Sequence, residues 1–206
     1  MSFVSKITMD DAKVKFGSLS LNNQYQVHFA GLNGDVIQYL KFTKRIDNAQ
    51  DFISRETGIL CSDASLPASA YATAEVKDNF IGVPQEFVHS RLYTDIDFTF
   101  YVDEDYTVLN LFEGWMDYIS SGADGEVADF QKPFYRRMRY PDTYKCDTMF
   151  ITKFEKNQKR LLRYQFINAF PKAITPMPVT YGQADLLRVT VSFNYDRYIV
   201  ANKVNP

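Results

Sequence analysis

Side chains that bind metals or act as acids and bases near neutral pH are scarce in this 206-residue sequence. It has two histidines, His28 and His89, and two widely separated cysteines, Cys61 and Cys146, which form no CxxC pair. Protein zinc sites need clusters of such residues at short spacing. We therefore predict no metal and no cofactor. Both cysteines are interpreted as buried thiols in a reducing compartment, and both histidines as hydrogen-bonded structural residues.

Signals for phosphate binding, hydrolysis and membrane insertion are also missing. The nine glycines are scattered and form neither a GxxxxGKS/T phosphate loop nor a GxGxxG nucleotide motif, and there is no GxSxG or HExxH motif. No apolar run approaches the ~20 residues of a membrane helix. The first residues lack the apolar stretch of a secretory signal. We expect a non-enzymatic protein that stays in the cytosol of the cell that makes it and does not insert into membranes.

Aromatic residues, by contrast, are abundant: 14 Tyr and 17 Phe bring the aromatic content to 16%. Hydrophobic residues make up 46% and charged residues 23%, with a net charge of −2, as in a soluble globular domain with its own core. Any single ring is at least as well explained by a β-rich core. The tyrosine excess taken as a set favours contact surfaces, because a tyrosine buries its ring while its hydroxyl keeps a polar partner.

The hydrophobic pattern predicts an α+β fold that is mainly β, an antiparallel barrel or sandwich with one principal packed helix. Period-2 alternation indicates strands over residues 24–30, 85–92 and 95–103, with the last two forming a pair, and over 148–154, 161–170 and 186–200. Residues 59–67 read as a short strand that ends in a proline corner. Residues 1–23 are predicted to be an N-terminal arm, 24–201 one domain with a helical insertion at about 35–58, and 202–206 a C-terminal tail.

The principal helix is predicted over residues 106–121. Asp103 or Asp105 is positioned to cap its start and Gly122 to end it. Its apolar residues recur at helical spacing and form one stripe that we expect to face the core, comprising Val108, Leu109, Phe112, Trp115, Met116 and Ile119. In the helical insertion, the same spacing puts Val36, Ile37, Leu40 and Phe42 near one face.

Two carboxylates, Asp95 and Asp97, share one face of a predicted strand. Residues two apart in a strand are about 6.5–7 Å apart, which suits paired acid and base groups and leaves a hydrolase as a distant alternative. An acidic outer strand face is far commoner, so the structural interpretation is favoured.

Charge is divided along the chain. Between Leu92 and Gln131 there are ten acidic residues and no Lys or Arg, whereas Lys132 to Arg163 holds ten basic residues against three acidic ones. The two blocks either pair within one subunit or are solvated, or the basic block binds nucleic acid, or opposite blocks meet between neighbouring subunits. The last alternative makes these residues candidate inter-subunit contacts: Asp103, Glu104, Asp105, Asp124, Glu126, Asp129, Arg136, Arg137, Arg139, Lys156, Arg160 and Arg163.

Over residues 25–198 the sequence resembles the tail tube proteins of contractile-tailed bacteriophages, a family that includes related baseplate–tube junction proteins. The resemblance rests on the order of five segments: the corner at 60–67 (LCSDASLP), the strand at 98–102 (FTFYV), the helix carrying Phe112, Trp115 and Ile119, Phe170-Pro171, and the terminal strand at 189–195 (VTVSFNY).

The resemblance implies a structural virion protein, assembled in the host cytoplasm. Six subunits would form a ring, and stacked rings would build the tail tube, with sheath and baseplate proteins as partners and DNA passing through the lumen without specific binding. A junction protein that initiates the tube is the alternative within this class, and a nucleic-acid-binding module on Lys132–Arg163 is the alternative outside it. Asp95 and Asp97 are candidate lumen residues, because a negative wall repels DNA phosphates.

Overall fold

A computed structural model describes residues 9–16, 19–43, 46, 48–77, 80, 82–120, 138–155, 160–182 and 184–204. Its helices are α1 (Met9–Phe16), α2 (Gly34–Thr43), α3 (Ala49–Asp51), α4 (Thr57–Leu60), α5 (Thr107–Ile119) and α6 (Pro141–Tyr144), with a π-helical turn at Phe52–Glu56 between α3 and α4. Its strands are β1 (Tyr25–Ala30), β2 (Cys61–Ala64), β3 (Ser69–Val76), β4 (Gln85–Tyr93), β5 (Ile96–Tyr101), β6 (Cys146–Phe154), β7 (Arg160–Ile174), β8 (Arg188–Asn194) and β9 (Arg197–Val204).

Four of the strands form one long hairpin, with β2 and β3 as one arm and β4 and β5 as the other. Asp63 pairs with Thr99 at the base, and Ser69 pairs with Tyr93 farther out in the same register. The base, β2 and β5, belongs to the main sheet. The outer part, β3 and β4, is a separate two-stranded sheet, which we call the ribbon.

A second long hairpin pairs β7 with β8 and β9. Phe170 pairs with Asn194 and Ile167 with Arg197, so one register runs through both halves. Between them lies Asn168, whose φ of 58° is left-handed. Asparagine is one of the few residues other than glycine that adopts this conformation readily. The resulting bend carries the hairpin from one half of the main sheet into the other.

The main sheet has the strand order β1-β6-β7-β8-β5-β2, with β9 also paired to β7, and every strand pair is antiparallel. Because β7 contributes to both halves, the halves fold over each other. The rings of Phe29 on β1 and Phe193 on β8 are 5.6 Å apart across the core. The Tyr25 hydroxyl donates a hydrogen bond to the carbonyl of Cys61 at 3.0 Å, linking the first and last strands of the order. The predicted fold class is confirmed.

Helix α5 packs against both halves of the sheet. The ring of Phe112 lies 5.0 Å from Phe100 and 6.4 Å from Phe29. Trp115 is buried, and its Nε1 donates a 2.8 Å hydrogen bond to the carbonyl of Tyr144, which joins α5 to α6. Each fully buried side chain of this size contributes roughly 1.5–3 kcal/mol through removal from water. Trp115 is therefore the core anchor that the sequence predicted.

The helical insertion covers the outer edge of β1. Gly58 lies so close to this strand that a β-carbon there would be 2.1 Å from the carbonyl oxygen of Val27. His28 lies within 2.8 Å, through Nδ1, of the carbonyl of Ser54, which confirms its structural role. Covering an edge strand in this way protects it from pairing with another chain.

Several predicted elements differ from the structure. Strand β4 pairs with β3 and not with β5, and the sequence analysis did not predict β3 at all. The predicted strand over 186–200 is interrupted at Tyr195 and Asp196 by the bend opposite Asn168. Ile59 is exposed, because α4 continues to Leu60 and the strand begins only at Cys61. The segment predicted as an arm contains α1, and β9 extends to Val204.

The helices also differ in detail. The core-facing stripe of α5 is centred on Val108, Leu111, Phe112, Trp115 and Tyr118, whereas Leu109, Met116 and Ile119 are only partly buried. Asp103 does accept a hydrogen bond from the backbone of Val108 at 3.3 Å, as predicted for the start of this helix. Phe42 is 79% exposed, and the side chain of Asn48 makes no capping hydrogen bond. Gly122 lies outside the described residues. Both cysteines are free and buried, as predicted.

Candidate assembly surfaces

The ribbon has one apolar face that its own subunit leaves uncovered. Paired residues share a face, and successive residues alternate between faces. From the register of β3 and β4, including the bulge between Ala72 and Thr73, the small and apolar side chains fall on one side: Ala70, Ala72, Ala74, Val76, Phe87 and Leu92. Val76, Phe87 and Leu92 are each about half exposed. The opposite face is mixed, with Glu75 beside Glu86.

The sequence contained the signal for β3, although the analysis missed it. In residues 69–76, Tyr71, Thr73 and Glu75 alternate with small residues. Alanine has a low strand propensity, which hides this period-2 pattern. Pairing with the more strongly patterned β4 decides the conformation.

The inner end of the ribbon is attached to β9 through aromatic side chains. The Arg91 guanidinium lies 5.2 Å from the ring centres of both Tyr93 and Tyr198, and Nη2 donates a 2.9 Å hydrogen bond to the Tyr198 hydroxyl. The Tyr93 ring is 6.1 Å from that of Tyr195. The buried hydroxyl of Tyr195 has no hydrogen-bond partner within the described part of the chain, and burial raises its pKa to about 12. This cluster fixes where the ribbon leaves the body.

Asp95 and Asp97 lie on the outer face of β5 and β8, each with its own partners. Asp95 accepts hydrogen bonds from Lys172 Nζ at 2.5 Å and from Asn194 Nδ2 at 2.7 Å, and both bonds lower the pKa of its carboxyl group. Asp97 accepts a hydrogen bond from the hydroxyl of Ser192. The row therefore alternates donors and acceptors across the two strands. These carboxylates are engaged with neighbouring donors and are not arranged as an acid and base around a pocket.

The acidic candidates of the turn after β5 lie close together, with Glu104 and Asp105 exposed and Asp103 partly buried beside the start of α5. Among the basic candidates, Arg139 bonds within the subunit: its Nε donates to the carbonyl of Tyr118 at 2.9 Å, and its guanidinium lies over the same ring. Arg163 Nε lies 3.3 Å from the hydroxyl of Thr152. Six candidates fall outside the described residues, as does the side chain of Arg160: Asp124, Glu126, Asp129, Arg136, Arg137 and Lys156.

No group of three or more His, Cys, Asp or Glu residues in the described ranges is placed to hold a metal ion. His89 is exposed on the ribbon and does not have the buried structural role predicted for it. The described helices are all too short or too polar to cross a membrane.

Comparison with known proteins identifies the family. A family model described as phage tail tube protein matches residues 20–201. Comparison with curated protein sequences gives no significant match.

Solved structures with a similar fold come from contractile injection systems. A chain of the PVC sheath–tube complex in its extended state has a TM-score of 0.53 at 13% identity, covering 95% of this chain and 99% of that one. A chain of the anti-feeding prophage baseplate, 6-fold symmetrised, has a TM-score of 0.54 at 8% identity, covering 89% and 95%. A chain of the anti-feeding prophage tube-terminating cap has a TM-score of 0.53 at 11% identity, covering 90% and 92%. Since the family match spans most of the sequence, the chain belongs to the phage tail tube protein family and is a structural component of the virion tail.

Proposed function

We propose that this protein acts by self-assembly and not by catalysis, forming rings of six subunits that stack into a tube through which DNA passes. Family membership supports the tube, and the six-fold symmetry of the fold-related baseplate supports the ring number. The observation that carries the proposal is the uncovered apolar face of the ribbon.

The ribbon requires another chain to complete it. An isolated two-stranded sheet is marginally stable in water, and contiguous apolar surface on a soluble monomer usually marks a contact site. Among the described residues, β3 and β4 pair only with each other, so their outer edges are unpaired as well. A second copy of the chain is the occupant that fits a tube-forming protein, because a contact between unlike surfaces of identical subunits repeats into rings and stacks.

The strand edges suggest how subunits join side by side. The outer edge of β1 is covered by α4, whereas β9 has a partner strand only on its β7 side within the described part of the chain. Ile199 and Val200 on β9 are each 46% exposed. An edge strand of this kind pairs readily with a strand of a neighbour. We assign this edge to the contact within a ring.

The outer face of β5 and β8 is the candidate lumen wall. Asp95 and Asp97 supply negative charge, which repels phosphate, while Lys172 and the hydroxyl and amide donors satisfy their hydrogen bonds. A wall whose polar groups are already paired offers DNA few groups to bind. Asp95→Asn and Asp97→Asn together should leave assembly intact and increase retention of DNA in the tube, whereas unchanged DNA delivery would remove these residues from the lumen.

Sheath and baseplate proteins are the further partners that we propose. Fold-related chains come from a sheath–tube complex and from a baseplate. The helical insertion exposes Phe42 and Ile59, each nearly 80% exposed, on a part of the surface separate from the ribbon. These two side chains are the candidate contacts with an outer layer.

The direct test places one charge on each face of the ribbon. Phe87→Asp puts a carboxylate on the apolar face, and Val88→Asp, at the adjacent exposed position on the opposite face, is the matched control. We expect the Val88 variant to form tubes like the unsubstituted protein and the Phe87 variant to form none, with the same circular dichroism. Assembly and circular dichroism are measured by negative-stain microscopy and spectroscopy. Normal tubes from Phe87→Asp would contradict the role of the ribbon. An unsubstituted protein that stays monomeric even with baseplate components would overturn self-assembly itself.

A further inference from the structure

We propose that the apolar face of the ribbon docks on the segment 176–187 of a second copy of this chain, and that this contact stacks one ring on the next. This inference rests on the proposed function and names the surface that the ribbon contacts.

The two surfaces lie at opposite ends of β5. The ribbon joins the main sheet at the amino-terminal end of this strand, where Tyr93 ends β4 and Ile96 begins β5. The segment 176–187 lies at the other end, where the backbone of Val102 donates a 3.0 Å hydrogen bond to the carbonyl of Leu187. A contact that repeats along one axis needs complementary surfaces at opposite ends of the subunit. The ribbon and this segment meet that condition.

The segment offers apolar side chains that its own subunit does not bury. Tyr181 is fully exposed, Val179 is 83% exposed and Leu186 is 68% exposed. Tyr106, which is 53% exposed, lies just beyond the same end of β5. On the ribbon, the facing side chains are Phe87, Leu92 and Val76, with three alanines between them that leave a flat surface. Tyrosine and phenylalanine are the side chains that contribute most to such contacts.

Charge selects which face of the ribbon docks. The exposed carboxylates Glu104 and Asp105 lie at the end of the subunit where the segment emerges, and Asp185 lies within it. The mixed face of the ribbon carries Glu75 directly opposite Glu86. Docking through that face would bring carboxylates together, which is unfavourable. The apolar face has no acidic residue, so it is the face that meets the segment.

The test uses the fact that each subunit has one surface of each kind. Phe87→Asp disables the ribbon, and Tyr181→Asp combined with Leu186→Asp disables the segment, while Thr180→Asp is the matched control for the segment. All four positions are exposed, so these variants should fold normally. Mass photometry and negative-stain microscopy measure the assemblies of each variant and of an equimolar mixture of the two disabled variants.

We expect each disabled variant to form single rings only, and the Thr180 variant to form full tubes. In the mixture, one intact ribbon surface meets one intact segment, so the largest particle should be a double ring with twice the mass of a single ring. Normal tubes from the segment variant, or no double rings in the mixture, would overturn the inference and leave self-assembly standing. Loss of rings from Phe87→Asp would also overturn it, because the ribbon would then act within a ring. Failure of the unsubstituted protein to assemble would instead refute the proposed function.

Discussion

Asn168 and Asp196 face each other where the second hairpin bends between the two halves of the main sheet. Asn168 Nδ2 donates a 2.6 Å hydrogen bond to Asp196 Oδ2, and Lys145 Nζ donates one to Oδ1 at 2.9 Å. Partial burial acts to raise the pKa of Asp196, but these two hydrogen bonds outweigh it and the pKa is lowered. The bend is therefore held by a left-handed residue and by a carboxylate that bridges to the segment before β6.

Substitution of Asn168 should separate backbone conformation from hydrogen bonding. Asn168→Val places a β-branched residue at a φ of 58° and should lower the free energy of unfolding by about 1–3 kcal/mol. Asn168→Gly accepts the conformation and loses only the hydrogen bond, so its loss should be smaller. Urea denaturation of the assembly-deficient Phe87→Asp background measures both. Equal losses for the two variants would show that the conformation contributes nothing.

Gly58 should not tolerate a side chain, because a β-carbon there would overlap the carbonyl of Val27. We expect Gly58→Ala to destabilise the fold by about 1–3 kcal/mol, the usual cost of overpacking. Gly34, at the start of α2, has open space around it and supplies the control. Gly34→Ala should be neutral or slightly stabilising, since alanine favours the helix. Thermal unfolding of both variants decides the matter, and a neutral Gly58→Ala would mean that α4 can move away from β1.

Asp95 should contribute to the loss of stability in acid. Lys172 and Asn194 lower the pKa of its carboxyl group in the folded state, whereas an unfolded aspartate titrates at about 3.9. The stabilisation is therefore present above the unfolded pKa and is lost as the pH falls through the lower folded value. Asp95→Asn removes this dependence, so its free energy of unfolding should fall less steeply below about pH 4. Glu104→Gln, at an exposed position, is the control, and parallel curves for Asp95→Asn and the unsubstituted protein would contradict this assignment.

Cys61 and Cys146 should be unreactive in the folded protein. Burial raises the pKa of each thiol to about 12, and the thiolate is the form that attacks thiol reagents. We expect no labelling at pH 8 in native conditions and two labelled thiols per chain in urea. Thr180→Cys, at an exposed position, supplies a positive control that should label at once. Rapid native labelling of the unsubstituted protein would show that the core opens readily.

The parts of the fold that the sequence predicted are those where local pattern and tertiary environment agree. The alternation in β5 and β8 places Phe98, Phe100 and Phe193 inside, and all three are fully buried. The prediction of β4 as the partner of β5 was wrong, because alternation fixes which face is buried but not which strand lies alongside. The choice of partner depends on the register of the whole hairpin, and β3 was hidden by its alanines.

The candidate sites were less predictable, for a similar reason. Arg139 stood out as part of a basic block, yet its side chain bonds to the carbonyl of Tyr118 in its own subunit. Charge along a chain does not report distance in space. The apolar face of the ribbon, which now carries the proposed contacts, had no motif and becomes visible only when the cross-strand register puts Phe87 and Leu92 on one side with four small residues.

The sequence by itself determined the mainly β class, the one principal helix, the buried thiols and the resemblance to tail tube proteins, because periodicity and composition are local properties of the chain. Tertiary structure alone decided the bend at Asn168, the cover over β1 and the exposure of one face of the ribbon. Those features depend on contacts between residues distant in sequence. Burial that a single subunit leaves incomplete cannot be read from periodicity, since a strand face patterned for a core and one patterned for a neighbouring subunit have the same alternation.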